Sequence, residues 1–336
     1  MTLSPQLTAF ARGDFSALVT PFGAAGFDVS LPAPGVVQLL RDPAARSVLI
    51  SVGIHGDETA PIELVALLLQ QLCETPSRLQ VNLMLVVGNM DAIASARRFI
   101  DIDLNRLFRG EQGDLAGTAE ASRARAVMAA SATFFSTARG ARWHLDLHTA
   151  IRASVYPTFA IVPAVIERAN KLALLRLLAD GGIAAAIINP TSAGTFSAFS
   201  AQELGATSAT VELGQVGQLG QNNVSAFAAM GDALMALLGA QSVAAPDLSA
   251  TLGEPADGPL PLVFAVAQEI IKHSEAFRMT VDGSTQNFTA MQRGEVIATD
   301  GTLTYRVTHP CERVVFPNPG VRPGFRAGLM VIPASV

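Results

Sequence analysis

The first chemical feature of the sequence is a histidine and a glutamate three residues apart in the block GIHGDE. His55 and Glu58 follow the apolar run VLISVG, and Gly53 and Gly56 leave the backbone free to turn both side chains toward one ion. The same pattern also occurs where an ordinary histidine stands beside a carboxylate at the start of a helix. The spacing alone is therefore weak evidence for a metal site.

A third candidate ligand comes from a remote part of the chain, at the end of the run WHLDLH. His148 would complete a set of two imidazoles and one carboxylate, which binds catalytic zinc and leaves a position open for water. The period of two in a strand places His144 and Asp146 on the same face as His148. His144 lies deeper in the strand, so we interpret it as a hydrogen-bonded structural histidine. The sequence thus predicts one zinc ion per chain.

A lone carboxylate, Glu212, stands in the otherwise uncharged segment TSATVELGQVG. A buried carboxylate is expected to have a polar partner or a functional role, because burying an unpaired charge costs free energy. Hydrogen-bonded to a zinc-bound water, Glu212 would take a proton from that water and deliver it to a leaving amine. The alternative is a strand-end glutamate paired with a nearby arginine.

The segment ARRFIDIDLNRLFRG is rich in arginine in a chain with few charges. Apolar residues interleave with the arginines, so part of the segment should be buried. A guanidinium donates two parallel hydrogen bonds to a carboxylate, and the segment therefore predicts an anionic substrate. A solvated charged face is the ordinary alternative for such a run.

The composition limits the kinds of partner. Lys and Arg number 23 against 28 Asp and Glu, a net charge of −5 with no basic block, which argues against nucleic acid. Half of the residues are apolar, yet no apolar run approaches the roughly 18 residues that span a bilayer. The start lacks a secretory signal pattern and the chain has two cysteines, so we expect a cytoplasmic protein with a small-molecule substrate. The oligomeric state stays open, a homo-oligomer included.

The candidate residues follow runs that are typical of strands in an α/β fold. Strand-like runs alternate with helical patterns, which predicts a mixed, mostly parallel sheet flanked by helices. The predicted strands are residues 48–53, 81–88, 143–148, 158–162, 184–188 and 209–213. The predicted helices are IELVALLLQQLC, TAEASRARAVMAASATFF and VIERANKLALLRLLA. The candidate residues, with Asn89 among them, should gather beyond the carboxyl ends of the strands.

The second part of the chain changes character after a proline-punctuated segment at residues 242–261, which predicts a domain boundary. Short alternating runs with turn residues follow it. We therefore expect a catalytic domain over residues 1–245 and a smaller β-rich domain over residues 258–336.

Four blocks together resemble the zinc carboxypeptidase superfamily, and within it the succinylglutamate desuccinylase and aspartoacylase branch. They are GIHGDETAPIE, GNMDAIASARRFIDIDLNRLF, HLDLHTAIR and TVELGQVG, in the family's order between about Ser47 and Gly217. The block DLHTAIR is more similar to the desuccinylases than to the aspartoacylases. The resemblance implies a zinc carboxypeptidase-like fold and hydrolysis of N-succinyl-L-glutamate to succinate and glutamate, the last step of the succinylating route of arginine degradation.

The resemblance also implies a role for each residue around the metal. The zinc ligands would be His55, Glu58 and His148. Glu212 would be the general base, and Arg98 would help zinc stabilise the oxyanion. Asp103 would orient a zinc-bound histidine.

The remaining implied roles concern the substrate. Asn105 and Arg106 match the pair that binds the α-carboxylate of the amino acid. The substrate carries three carboxylates, so at least one more cation is needed. Arg152, shortly after His148, is the candidate for the acyl-end carboxylate. The alternatives are Arg97 and Lys272.

Three other functions compete with this one. An aspartoacylase-like deacylase of another N-acyl amino acid would use the same zinc residues with a smaller acyl pocket. A non-catalytic binding protein that kept the fold would be expected to lose a ligand or the base, whereas this sequence retains all four. A carboxypeptidase acting on polypeptides is disfavoured if the β domain narrows the crevice.

Overall fold

The computed structural model describes residues 3–110, 112–191, 194–239, 259–281 and 284–335. Within these ranges the α-helices are α1 (Pro5–Ala11), α2 (Val19–Ala24), α3 (Ala60–Glu74), α4 (Met90–Ala94), α5 (Ala119–Ser136), α6 (Arg168–Asp180), α7 (Phe196–Leu204) and α8 (Ala228–Leu237). The strands are β1 (Asp28–Ala33), β2 (Val36–Leu40), β3 (Ser47–Val52), β4 (Asn82–Val87), β5 (Arg142–Ala150), β6 (Thr158–Pro163), β7 (Ala185–Asn189), β8 (Thr207–Gln215), β9 (Leu262–Ile271), β10 (Arg278–Met279), β11 (Thr289–Gln292), β12 (Val296–Asp300), β13 (Leu303–Arg306), β14 (Cys311–Val315) and β15 (Arg326–Pro333). None of the helices so described is long and apolar enough to cross a bilayer.

Twelve of these strands form one mixed sheet, in the order β1-β2-β4-β3-β5-β8-β6-β7-β9-β15-β14-β11. The central strands β4, β3, β5 and β8 are mutually parallel. Strand β6 runs antiparallel to β8, and the strands at both edges of the sheet are also antiparallel. The predicted mixed sheet with flanking helices is confirmed, and its parallel part lies at the centre.

Helices cover both faces of the central sheet. In β3, Val48, Ile50 and Val52 pack in one buried cluster with residues of α3, α6 and α8. Leu49 points to the other face and packs in a second cluster with α5. The strand is thus buried on both sides, as is typical of parallel strands between helical layers.

All six predicted strands are present, as β3 to β8, and the three predicted helices correspond to α3, α5 and α6. Helix α6 begins at Arg168 and not at Val165. The Ala164 N–H still donates to the carbonyl of Asn189 at the end of β7, and a turn at residues 164–165 then leads to the helix. Strand β1 escapes the sequence pattern because it is an edge strand with mostly exposed or half-buried residues.

The C-terminal strands continue the central sheet. Strand β9 pairs in parallel with β7, and β15, β14 and β11 follow it, while β10, β12 and β13 form a separate three-stranded sheet. The β-rich character predicted for this part is confirmed. The predicted domain limits stay predictions, since residues 240–258 lie outside the described ranges.

Candidate active site

The carboxyl ends of the parallel central strands meet at one edge of the sheet. His148 near the end of β5 lies in register with Glu212 of β8. His55 and Glu58 follow the end of β3, and Glu58 forms a β-bridge with Gly217 beyond β8. The predicted convergence of these four residues therefore occurs.

Two glycines shape the loop that follows β3. Gly53 has a φ of +64°, a conformation that L side chains rarely adopt. A Cβ at Gly56 would overlap the backbone of Ala92 at α4. Because Gly56 can approach so closely, its N–H donates to the Arg98 carbonyl at 3.1 Å, which ties the loop of His55 to the arginine-rich segment.

Glu58 joins the two histidines into one buried cluster. Its Oε1 lies 2.8 Å from His55 Nδ1, and its Oε2 lies 2.8 Å from His148 Nδ1. The backbone N–H of Thr149 also donates to Oε2, at 3.0 Å. One ligand atom from each of the three residues lies within 4.8 Å of the others. The cluster can therefore hold one metal ion.

The second nitrogen of each imidazole meets another carboxylate. His55 Nε2 lies 2.9 Å from Asp103 Oδ1, and His148 Nε2 lies 3.0 Å from Asp146 Oδ2. The Ser51 hydroxyl donates to the other Asp146 oxygen. Such partners fix the orientation of metal-binding histidines. Sequence reasoning missed this contact of Asp146, although the period of two already placed it on the face of His148.

The carboxylates and imidazoles of the cluster stabilise one another's charged forms. Burial alone would raise the pKa of Glu58, but the two imidazoles outweigh it and hold that pKa well below its usual range. Burial also opposes protonation of His148, yet Asp146 and Glu58 raise its pKa well above the usual value. The site thus concentrates positive charge around Glu58.

The donor set fits a zinc ion. Two imidazoles and one carboxylate are a frequent ligand set of catalytic zinc. Among the described residues this is the one group of three His, Cys, Asp or Glu that is arranged to hold a metal. All three side chains are buried.

Glu212 is a buried carboxylate, and one of its two oxygens, the buried Oε2, lacks a hydrogen-bond partner among the described residues. Burial, and next the negative charge of Glu58, raise the pKa of Glu212 to about 7, against the opposing effect of His148. A carboxyl group with this pKa exchanges protons near neutral pH.

Arg98 is the arginine of its segment that contacts the cluster. Its Nη1 lies 2.6 Å from Glu58 Oε1, and its side chain is partly exposed. Farther along, Ile102 and Leu104 are buried while Phe99 is exposed. The segment is thus partly buried, as predicted.

Glu120 of α5 anchors the same segment. Its carboxylate accepts hydrogen bonds from the backbone N–H groups of Ile100, at 2.7 Å, and Asp101. It also accepts from the Asn89 side chain at 3.1 Å. Asn89, predicted to lie with the site residues, instead caps α4 by accepting from the Ala92 N–H. Sequence reasoning missed Glu120, since an acidic residue in the first turn of a helix is common.

Asn105 and Arg106 lie in a short 3₁₀ turn beside the cluster. Asn105 Nδ2 is 3.5 Å from His148 Nε2, and its Oδ1 accepts from the Phe196 N–H at the start of α7. Arg106 Nη2 lies 3.7 Å from Asp103 Oδ2. Asn105 therefore stands next to a candidate metal ligand, and Arg106 stands beside the carboxylate that contacts His55.

The three cations predicted as candidates to bind the acyl-end carboxylate lie in different parts of the structure. Arg152 is half-buried in the segment after Ala150, the last residue of β5. Arg97 is exposed. Lys272 is buried, and its Nζ lies 3.1 Å from Glu275. A role for any of them with the substrate stays a prediction.

Comparison with known proteins gives matches over most of the chain. Residues 44–238 match the succinylglutamate desuccinylase/aspartoacylase catalytic domain, and residues 261–334 match the AstE/AspA barrel-sandwich hybrid domain. The succinylglutamate desuccinylase of Burkholderia lata is 44% identical over 293 residues, which are 87% of this chain and 80% of that protein.

Two solved structures have the same fold. The crystal structure of succinylglutamate desuccinylase from Chromobacterium violaceum is 34% identical, with a TM-score of 0.78 over 100% of this chain and 99% of that one. The succinylglutamate desuccinylase structure from Vibrio parahaemolyticus is 28% identical, with a TM-score of 0.80 over 93% of this chain and 90% of that one.

Proposed function

The chain belongs to the succinylglutamate desuccinylase/aspartoacylase family, and from this premise we propose that it hydrolyses N-succinyl-L-glutamate to succinate and L-glutamate. The observation that carries the proposal is the buried cluster of His55, Glu58 and His148 with Glu212 in register beside it. The relatives with this activity in their names support the choice of substrate.

We propose that one zinc ion per chain is held by His55, Glu58 and His148. Zinc bound there would activate a water molecule and polarise the amide carbonyl. Asp103 and Asp146 hold the two imidazoles in place from behind, so the ligands need little rearrangement.

Glu212 is the residue that moves the proton. With its pKa near neutral, it accepts a proton as water attacks and gives it to the departing amine of glutamate. Arg98 holds the negative charge that develops on the carbonyl oxygen, a stabilisation of roughly 3 to 4 kcal/mol for a well-placed donor. Its contact with Glu58 keeps its guanidinium at the site.

The anionic substrate is matched by the cations around the cluster. We assign Asn105 and Arg106 to the α-carboxylate of glutamate and Arg152 to the carboxylate of the succinyl group. Glutamate is the product that enters general metabolism, and we place the reaction at the end of the succinylating route of arginine degradation, in the cytoplasm.

The test is succinate release from N-succinylglutamate, with N-acetylaspartate as the competing substrate. We expect turnover of N-succinylglutamate that is lost with a chelator and restored by zinc. Faster hydrolysis of N-acetylaspartate would favour an aspartoacylase-like enzyme. The absence of turnover with either substrate would contradict the proposal.

A further inference from the structure

One more arginine stands close to the site, and it comes from the C-terminal strands. Arg326 is the first residue of β15, and its side chain is only 13% exposed. Its Nη1 donates to Glu269 Oε1 of the neighbouring strand β9, at 3.1 Å. Among the described residues this is the only hydrogen bond of the Arg326 side chain. A nearly buried guanidinium thus has a single carboxylate contact and unused donors.

The loop between β7 and α7 connects this pair to the candidate site. The Thr191 hydroxyl donates to the same oxygen of Glu269, at 2.7 Å. Three residues later, Gly194 has a φ of +70°, and a Cβ there would lie 2.5 Å from the carbonyl oxygen of Arg106. Three residues span at most about 11 Å. The loop therefore contacts the Arg326–Glu269 pair through Thr191, and a short distance farther along it contacts Arg106 through Gly194.

Arg326 and Arg106 interact as like charges. Burial lowers the pKa of Arg326, and the positive charge of Arg106 lowers it further. Arg106 in turn stands next to Asn105, whose side chain reaches His148. Two guanidinium groups in a poorly hydrated place repel, and an anion between them removes that repulsion while accepting their free N–H groups.

We propose that Arg326, standing beside Arg106, binds the side-chain carboxylate of the glutamate half of the substrate. The inference rests on the proposed function, in which Asn105 and Arg106 bind the α-carboxylate. The two carboxylates of glutamate are joined through only three carbon atoms, so a cation beside Arg106 faces the second one. The C-terminal strands then determine which amino acid the enzyme releases.

The test compares variants at the Arg326–Glu269 pair. Arg326→Lys keeps the charge but loses the planar fork, and Arg326→Gln removes the charge. The double variant Arg326→Gln/Glu269→Gln leaves no unpaired charge, which guards against loss of folding. Arg322→Gln, an exposed arginine in the preceding loop, is the matched control.

The substrates are chosen to isolate one carboxylate. N-succinylglutamine lacks the side-chain carboxylate, whereas N-acetylglutamate keeps it and lacks the acyl-end one. L-glutamate and L-glutamine, used as competitive inhibitors, make the same comparison without needing turnover of an analogue. Zinc content is measured for every variant and should be unchanged.

We expect Arg326→Gln and the double variant to lower kcat/KM for N-succinylglutamate about 30-fold or more, mainly through KM. Arg326→Lys should have an intermediate effect, and Arg322→Gln none. The loss should persist for N-acetylglutamate and shrink to less than about threefold for N-succinylglutamine. Binding of L-glutamate should weaken, and binding of L-glutamine should not.

An equal loss for all substrates, or a loss that disappears with N-acetylglutamate, would overturn the inference. Unchanged kinetics in the double variant would also overturn it. Failure of the proposed function gives a different result, because the unaltered chain would then not hydrolyse N-succinylglutamate whichever residue stands at position 326.

Discussion

Two histidines on strand β5 differ in the groups that face their ring nitrogens. His144 and His148 lie on the same face of β5, and both are buried. The two imidazole nitrogens of His144 face hydroxyl oxygens, Ser200 Oγ at 2.6 Å and Ser51 Oγ at 2.9 Å, and the ring packs against Phe196. His148 contacts the carboxylates of Glu58 and Asp146.

The difference in partners changes the charge of the ring. Burial lowers the pKa of His144 to about 4, despite the opposing charge of Asp146. Burial acts in the same direction on His148, but Asp146 and Glu58 outweigh it and raise that pKa. Four residues along one strand thus separate a neutral structural histidine from a candidate metal ligand, and the neighbouring carboxylates account for the difference.

The largest effect should come from removing the proton carrier beside His148. Glu212→Gln keeps the shape of the side chain but cannot take up a proton, so kcat should fall by at least ~10² with little change in KM. Steady-state kinetics and metal content check this together. Glu203→Gln, an exposed position on α7, is the control. Near-normal turnover of Glu212→Gln would refute its role as the base.

The next effect concerns Arg152, which lies beyond the end of β5. If it binds the acyl-end carboxylate, Arg152→Ala should lower kcat/KM for N-succinylglutamate by about 30-fold or more, because loss of one partner of a buried charge pair costs ~2 to 5 kcal/mol. N-acetylglutamate, which lacks that carboxylate, should be spared. Arg97→Ala serves as the comparison. An equal loss with both substrates would show that Arg152 does not bind the acyl-end carboxylate.

The carboxylate behind His148 should matter less than the ligand itself. Asp146→Asn removes the charge that supports the imidazole, and metal affinity should fall by about 10- to 100-fold. Competition with a chromogenic chelator measures this affinity. Ser51→Ala, which removes the hydroxyl that contacts both Asp146 and His144 but leaves the charge of Asp146 in place, should have a smaller effect. Unchanged affinity in Asp146→Asn would show that Asp146 does not support the ligand.

The smallest effect is a pH dependence of stability at His144. Its folded pKa of about 4 lies below the unfolded value, so between these pH values the unfolded chain binds the proton more readily. The stability contributed by the neutral ring is present above pH ~6.5 and is lost as the pH falls toward ~4.

A substitution isolates this contribution. Between pH 7.5 and pH 5, the unaltered protein should lose about 2 kcal/mol more stability than His144→Asn, both measured by urea unfolding with zinc chelated. Ser200→Ala keeps the imidazole and should keep the pH dependence. His144→Asn should also keep kcat/KM within about threefold, since the ring contacts no ligand. An identical pH dependence in both proteins would contradict the assignment.

The sequence reveals those features of the site that depend on local pattern. The alternation in β5 and the polar residues at strand ends place His55, His148 and Glu212 at one sheet edge, because parallel strands end together. The same alternation carries Asp146, but the contact with His148 depends on the rotation of two side chains, which the period of two does not give.

Other parts depend on contacts between distant segments. Glu120 is an ordinary first-turn acid in the sequence, and only the packing of α5 against residues 100–101 shows what it holds. Arg326 is one of many arginines until β15 pairs with β9 and brings it near Arg106. Such contacts follow from strand order, which the hydrophobic pattern does not specify.

Metal content per chain in three purified proteins tests the central claim most directly. The unaltered chain and His144→Asn should each contain about one zinc, because both proteins keep all three candidate ligands. His148→Ala should lose it while remaining folded, as judged by circular dichroism. A full equivalent of zinc in His148→Ala, or its loss in a folded His144→Asn, would contradict the assignment of the metal to the end of β5.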